Sequence, residues 1–271
     1  MGIRPSRHGL RLCVGTAALW AAMSLSAAAA DITAKPASDE WVISVAPYAW
    51  AAGLSGDVGL FGRESVDLDM SFSDILDDLK FAAMGVVEAH NGTYGIFGDI
   101  MYVHTETEEG ISRTVENIPV ALKATVDTEN IAATLMGEYR LVNDEVVKLD
   151  LMAGARLWHV ANDISARLKA DGTEVAEHGG DDSETWVDPM VGFKTRINTE
   201  TPLYLEGWGM IGGAGIGSDL SWDVIGGLGY QWTSGFSTVV GYRAMGVDYS
   251  HDGFVFDVVE QGAFVGGVFT F

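Results

Sequence analysis

Alternation of apolar and polar residues with a period of two dominates the sequence from Trp41 onward. In the segment 94–102, for example, aromatic and aliphatic side chains share one face, whereas Asp99 points the other way. Such alternation is typical of β-strands that have one apolar face and one polar face. It predicts strands at 41–52, 80–90, 94–106, 122–141, 147–160, 184–197, 203–215, 221–232, 236–248 and 255–271.

The connections between these segments differ in length. Short turns close the second, fourth, sixth and eighth segments, and Asn91-Gly92 is a strong hairpin signal. The connections 53–79, 107–121 and 161–183 are longer and rich in acids, so we expect them to be loops. Short turns at one end and long loops at the other are typical of bacterial outer-membrane barrels. The predicted fold is therefore all-β, an antiparallel transmembrane β-barrel of about ten strands, with eight or twelve as alternatives.

Aromatic residues favour a membrane barrel over a soluble sandwich because they concentrate at both ends of the predicted strands. We expect two interfacial bands on either side of an aliphatic middle. The band near the short turns comprises Trp41, Tyr94, Tyr139, Tyr230, Trp232, Phe236, Phe269 and Phe271. The band near the long loops comprises Trp50, Phe81, Tyr102, Trp158, Trp186, Trp222, Tyr249 and Phe254.

The first thirty residues have the pattern of a secretory signal peptide. Three arginines precede the apolar run 12–25, and an Ala-x-Ala cleavage site ends at Ala30. We therefore predict a signal peptide at 1–30, a periplasmic segment at 31–40 and the barrel at 41–271. The one cysteine, Cys13, lies in the signal peptide, so the mature chain is expected to lack disulfides and cysteine sites.

Acidic residues outnumber basic residues in the chain, 38 to 16, for a net charge of −22. Removing the signal peptide takes away three arginines and no acids, which changes the net charge to −25. Nucleic-acid binding is therefore not expected, because phosphate contacts require Lys and Arg. Expected partners are outer-membrane lipid and lipopolysaccharide, and no cofactor is predicted.

Charged residues of both signs fall on the face opposite the aliphatic side chains, which should line the lumen. The favoured interpretation is a set of cross-strand ion pairs that fills a narrow barrel with a structural or interaction role. The alternatives are a narrow passage for small polar solutes and a passive, porin-like transporter. The predicted lumen residues are Glu88, Asp99, Glu138, Arg140, Asp150, Arg156, Asp188, Lys194, Arg196, Glu206, Arg243 and Glu260.

The acidic segment 66–79 differs from the strands and suggests a short amphipathic helix in the first long loop. Ser73 is the predicted N-cap, with Asp74 in the first turn. Ile75, Leu76 and Leu79 form its apolar edge, and we expect the helix to cap or enter the barrel mouth. Its spacing does not match a calcium loop. Because the segment has an excess of carboxylates, we predict that it contacts divalent cations of the lipopolysaccharide layer.

A hydrolase is the remaining alternative, although an enzyme is not the favoured interpretation. His104, His159 and His251 lie near carboxylates at the long-loop end, where a His-carboxylate pair could act as a general base. The chain has no metal-binding histidine spacing and no Gly-x-Ser-x-Gly motif, so no metal or catalytic residue is predicted. The glycine-rich run 212–217 lacks the lysine of a phosphate-binding loop and fits a bent rim better.

The C-terminal strand ends with Phe269 and Phe271 and resembles the signal that the barrel-insertion machinery recognises. Further motifs resemble an uncharacterised family of Gram-negative outer-membrane β-barrel proteins. The resemblance covers most of the mature chain and implies a barrel in the outer membrane, but no established activity. The short turns, which face the periplasm in such barrels, predict periplasmic termini. The motifs are Trp41-x5-Pro-Tyr-x-Trp50, Gly53-Leu-Ser-Gly56, the segment 66–79, Tyr94-Gly-Ile-Phe-Gly-Asp99 and Gly154-Ala-Arg-Leu-Trp158.

Overall fold

The computed structural model describes residues 40–60, 62–115, 118–171 and 173–271. The predicted signal peptide and residues 31–39 of the predicted periplasmic segment lie outside the described residues. The elements are β1 (Val42–Gly59), β2 (Val66–Met70), α1 (Phe72–Asp77), β3 (Leu79–His90), β4 (Tyr94–Val115), β5 (Ile118–Asn143), β6 (Val147–Ala170), β7 (Thr173–Asn198), β8 (Leu203–Gly213), β9 (Leu220–Thr233), β10 (Phe236–His251) and β11 (Phe254–Thr270).

The strands form one antiparallel sheet that closes on itself. Neighbours in sequence pair with one another, and β1 pairs with β11 from Ser44–Thr270 to Gly59–Val255. The short strand β2 pairs only with β1, so β1 and β3 to β11 make up the ring. Closure leaves no free edge around the middle of the sheet, as a barrel in lipid requires. The predicted antiparallel barrel is confirmed.

The outer face of the ring carries an apolar band. Its aliphatic side chains are more than half exposed, which is the arrangement expected of a surface that lipid covers. On β4 this band runs from Tyr94 to Tyr102, and on β5 from Ile131 to Tyr139. Examples around the ring are Ile96, Ile100, Leu135, Leu151, Val191, Val224, Val240 and Val265.

Four strands extend far beyond this band. Strands β4 to β7 have 22 to 26 residues each, whereas β8 to β11 have 11 to 17. The prediction of loops at 107–121 and 161–183 is therefore wrong, because nearly all of these residues pair as β-strands. Their acids alternate with apolar side chains such as Leu122 and Ile164, and a strand with two different faces accommodates both.

The region between β1 and β3 differs from the rest of the wall. These two strands pair only over Val42–Pro47 and Gly85–His90. Farther along, β1 pairs instead with β2, and α1 connects β2 to β3. Helix α1 contacts β1 and β2, and none of its residues is buried. The apolar edge predicted for this helix therefore does not fill the lumen, and its residue Leu76 is 51% exposed.

The acidic segment forms a strand followed by a helix, and its N-cap differs from the prediction. Ser71, not Ser73, is the N-cap: its hydroxyl accepts a hydrogen bond from the Asp74 amide, and the Asp74 carboxylate accepts one from the Ser71 amide. Ser71 stands three residues before Asp74, which is the spacing of a capping box, whereas Ser73 is adjacent to it. The hydrogen bonds from Ser71 lower the pKa of Asp74.

Closure between the first and last strands predicts a specific crosslink. Ala49 and Val265 lie directly opposite each other on β1 and β11. In a chain carrying Cys13→Ser, the pair Ala49→Cys and Val265→Cys should oxidise to a disulfide, because opposite residues have the Cα separation that a disulfide needs. Gel mobility after boiling without reductant measures it. Ala49→Cys with Val240→Cys is the control, since these positions lie two strands apart, roughly 10 Å. Equal crosslinking of both pairs would contradict the register.

Candidate functional site

The lumen is the candidate site, because the inward faces of opposite strands bring charged residues together there. All twelve predicted lumen residues have inward-facing positions in their strands, and ten of them make a hydrogen bond or ion pair. Glu206 and Glu260 come within 4.0 Å of no cationic nitrogen among the described residues. The side chains form two groups, one in the middle of the barrel and one near the short turns.

Arg243 is the centre of the middle group and is 1% exposed. Its Nε and Nη2 atoms donate to the two carboxylate oxygens of Asp223 at 3.1 and 2.7 Å. Nη2 also donates to Asp99 at 2.6 Å, and Nη1 donates to the Tyr48 hydroxyl at 2.6 Å. The Tyr48 hydroxyl in turn donates to Asp99 at 2.9 Å. These contacts join β1, β4, β9 and β10 across the lumen.

A second buried arginine extends this network to another wall. Arg156 on β6 donates to Asp223 at 2.6 Å and to the Thr134 hydroxyl at 2.8 Å. Asp223 therefore accepts hydrogen bonds from two guanidinium groups, which offsets the cost of burying its charge. We call Tyr48, Asp99, Arg156, Asp223 and Arg243 the central network.

Aromatic rings surround the central network. The Arg243 guanidinium lies 5.3 Å from the Trp50 ring centre and 5.6 Å from that of Trp208. The Arg156 guanidinium lies 5.8 Å from the Trp158 ring. A guanidinium near an aromatic face gains cation–π attraction that is stronger where water is absent. The rings therefore both pack the lumen and stabilise its two central cations.

Beyond the central network, toward the long hairpins, aromatic rings from opposite walls meet. Trp186 of β7 stacks on Tyr249 of β10, with ring centres 3.9 Å apart. Trp158 of β6 lies 5.9 Å from Trp186 and 6.5 Å from Phe256 of β11. With Phe254, these five residues form what we call the aromatic cluster. The cluster therefore packs across the lumen between β6–β7 and β10–β11.

The prediction that the long-loop aromatics form an outer band is therefore wrong for five of its eight members. Trp50, Trp158, Trp186, Tyr249 and Phe254 are buried inside the barrel. The strand alternation predicts this inward orientation, since Trp158 shares the face of Arg156 and Trp186 shares the face of Asp188. The other three, Phe81, Tyr102 and Trp222, face outward.

The glycine-rich run after β8 folds over this end of the lumen. Gly213 and Gly215 have positive φ angles of 87° and 73°, which allow the tight turn. The turn places the Ser218 amide 2.7 Å from the Asp188 carboxylate, to which it donates. Both residues are fully buried. This loop therefore binds a lumen carboxylate of its own barrel, as a structural element of the rim.

The group near the short turns is built around Lys194. Its ammonium lies 2.5 Å from Glu138 and 2.8 Å from Glu88, on β5 and β3. Next to it, Arg140 donates to both oxygens of Asp150 at 2.7 and 2.9 Å. These pairs neutralise the charges of Lys194 and Arg140.

His90 joins the same group. Its Nδ1 accepts a hydrogen bond from the Gly92 amide at 2.7 Å, so the neutral ring carries its proton on Nε2. That Nε2 lies 3.3 Å from Asp150, although the angle is poor for a hydrogen bond. His90 thus sits at the inner side of the Asn91-Gly92 turn and faces the lumen.

A cavity of about 460 Å³ extends from the short turns past this group, whose side chains help to line it. We call it the vestibule. Charged side chains, including Glu88, Lys148 and Arg196, line its outer part. Apolar side chains, namely Phe97, Trp208, Ile225, Val239 and Phe264, also line it, and Trp208 reaches the central network.

The rim histidines do not converge on one site. His104 and His159 face outward on β4 and β6, and His251 ends β10 on the far side of the ring. The Nε2 atom of His104 lies 3.0 Å from Asp127, beyond the apolar band, and this hydrogen bond raises the pKa of His104. Within the described residues, no three or more His, Cys, Asp or Glu side chains are arranged to hold a metal ion.

The barrel-insertion residues lie at the end of the closing strand. Phe269 faces outward on β11 and its ring packs 5.0 Å from Phe236. Phe271 is 79% exposed. Their recognition by an insertion machinery stays a prediction.

Comparison with solved structures identifies the fold. The outer-membrane protease OmpT from Escherichia coli superposes with a TM-score of 0.56, at 12% identity, over 86% of this chain and 97% of OmpT. The chain has the fold of an outer-membrane β-barrel protein. The Ail protein of Yersinia pestis, with a TM-score of 0.30 and 13% identity, covers 86% of this chain and 99% of its own. Neisserial surface protein A has a TM-score of 0.30 at 13% identity, with 85% and 96% covered.

The sequence matches no known protein family and no curated protein. Among the described residues, no helix is long and apolar enough to cross a membrane. Because the identity to OmpT is 12%, this likeness shows the fold alone. Any role of the lumen depends on its own residues.

The central network predicts a large effect of one substitution. Arg243→Met should destabilise the barrel by about 3–5 kcal/mol, because it leaves the Asp99 carboxylate buried without a cation. Urea unfolding of the reconstituted barrel, followed by Trp fluorescence, measures this change. Adding Asp99→Asn to Arg243→Met should recover part of the loss.

Arg167→Met is the matched control for Arg243→Met. Arg167 also pairs with a carboxylate, that of Glu177 at 2.8 Å, but both side chains are about half exposed. Solvent-exposed pairs contribute little, so the unfolding midpoint should barely change. Equal losses of unfolding free energy in the two variants would contradict the prediction that the buried contacts of Arg243 contribute more stability than an exposed pair.

Proposed function

We propose that this protein spans the outer membrane of a Gram-negative bacterium as a β-barrel whose lumen is closed. The apolar band on the outer face supports contact with lipid. The short turns share one side with the start of β1 and the end of β11, which supports a periplasmic location for that side. The long hairpins β4–β5 and β6–β7 would then project from the cell surface.

The observation that carries the closed lumen is the contact of Arg243 with Asp99 across the barrel, together with the contact of Arg156 with Asp223. These contacts join β10 to β4 and β6 to β9 through charged hydrogen bonds, and the aromatic cluster packs across the lumen next to them. A barrel of about this width is readily filled by its own side chains. A structural or interaction role thus has more support than a porin-like channel or a passage for small polar solutes.

The outward face of the extended strands supports an interaction role at the cell surface. Asp127, Asp163 and Asp181 lie directly opposite one another on β5, β6 and β7. On the other wall, Asp57 lies between Asp67 and Asp257. We propose that these carboxylates contact divalent cations that are bound to lipopolysaccharide. Within the part of the chain that the structure describes, they do not form a preformed metal-binding site themselves.

An enzymatic role receives less support. His104 forms a His-carboxylate pair with Asp127, but this pair faces outward on the hairpin, away from the lumen and its cavity. The protein is therefore proposed not to be a hydrolase.

Planar-bilayer recording tests the closed lumen. The barrel should show no unitary current after insertion, because the central network and the aromatic cluster block the water path. A general porin reconstituted in the same way confirms that the lipid and voltage protocol detects channels. Heat-modifiable gel migration of the same sample confirms folding. Reproducible current steps from the folded protein would overturn the closed lumen in favour of the porin-like alternative.

A further inference from the structure

The vestibule contains two cations whose charges no carboxylate neutralises at close range. Lys148 and Arg196 lie directly opposite each other on β6 and β7, and both line the cavity. The side chain of Lys148 has no hydrogen bond or ion pair among the described residues. Like charges directly opposite on a sheet repel each other. A bound anion between them would remove this repulsion.

Arg196 is held in place by neutral groups. Its Nε donates to Asn198 at 3.0 Å, its Nη2 donates to Gln231 at 3.0 Å, and its guanidinium stacks 3.6 Å from the Tyr204 ring centre. The carboxylate of Glu206 stands opposite Arg196 in the sheet but does not come within 4.0 Å of its nitrogens. The guanidinium is thus fixed in orientation while its charge stays available.

The other cations of this region are already neutralised. Lys194 contacts two carboxylates, and Arg140 binds Asp150 with two hydrogen bonds. Lys148 and Arg196 therefore form the part of the lining that favours an anion, whereas Glu88 and Glu206 disfavour a second negative charge. A ligand with a single negative charge fits this lining best.

Part of the vestibule lining is apolar. The Phe97 and Trp208 rings contact each other with centres 5.2 Å apart, and Ile225, Val239 and Phe264 complete the lining. A volume of about 460 Å³ lies within the range of small-molecule sites, roughly 300–1,000 Å³. A ligand with an acidic group and an apolar body would match both parts of the lining.

We propose that the vestibule binds a small amphipathic monoanion from the periplasmic side. Its acidic group pairs with Lys148 and Arg196, and its apolar part packs against Phe97 and Trp208. The proposal rests on the proposed closed lumen and membrane orientation in one respect: they give the site a single opening, which faces the periplasm. The closed end makes the vestibule a binding site and not a segment of a channel.

The test uses 4-phenylbutyrate and its neutral counterpart 4-phenyl-1-butanol as probes of the folded barrel in lipid nanodiscs. Saturation-transfer NMR measures binding, with empty nanodiscs subtracted. Lys148→Gln and Arg196→Gln should each weaken 4-phenylbutyrate binding by about tenfold, because each removes a charge-assisted contact. Neither substitution should change binding of the alcohol.

Two further variants locate the site. Lys123→Gln removes a cation that pairs with Glu108 on the far hairpin, so it should leave binding of both probes unchanged. Val86→Phe fills the vestibule with an apolar side chain and should weaken binding of both probes while preserving heat-modifiable migration.

Three results would overturn the proposal: no saturable binding of 4-phenylbutyrate, equal binding in Lys148→Gln and Lys123→Gln, or no effect of Val86→Phe. A failed binding site would leave the bilayer recordings without current steps, whereas an open lumen would produce current steps whether or not the probe binds. Failure of the binding site is therefore distinguishable from failure of the closed lumen.

Discussion

The structure of the lumen depends on one interaction, the burial of the Arg243 guanidinium between Asp99 and Asp223. A cation in the middle of a barrel is costly unless its hydrogen-bonding groups are satisfied by partners. Here the partners come from β4, β9 and β1, so the charges hold together only when the ring is closed in the correct register. The charge contacts of Arg243 therefore form only if the strands are in register and the ring is closed. The packing on either side of Arg243 depends on the same arrangement.

Packing around this network alternates large and small residues between neighbouring strands. Gly154 lies opposite both Met136 and Met190, and Gly192 lies opposite Met210. A side chain at Gly154 would clash with the backbone of Leu135. Flexible methionines fill the irregular space that such glycines leave, which is how narrow barrels reach a packed interior. The result is two different halves, a filled half toward the long hairpins and an open vestibule toward the short turns.

Much of the fold could be predicted from the sequence because alternation with a period of two determines which face each side chain takes. It indicated the strands and the inward position of residues such as Arg156 and Lys194. It could not predict that Arg243 meets Asp99, because contacts across the lumen depend on closure and stagger, which local pattern does not encode. The aromatic cluster differs from the prediction for another reason: the position of Trp158 near a strand end predicts an interfacial ring, whereas the face that it shares with Arg156 directs it into the lumen. The acidic composition of the hairpins predicts loops, but their alternation is that of paired strands.

Cysteine accessibility tests the closed lumen most directly. Two single-cysteine variants in lipid nanodiscs, Ser44→Cys in the vestibule and Ala132→Cys in the buried core, are treated with a small membrane-impermeant maleimide that reaches both ends of the barrel. The account predicts that Ser44→Cys is modified and that Ala132→Cys, 4% exposed in the parent residue, is protected until the barrel is unfolded. Modification of Ala132→Cys in the folded barrel at a rate similar to that of Ser44→Cys would contradict a closed lumen.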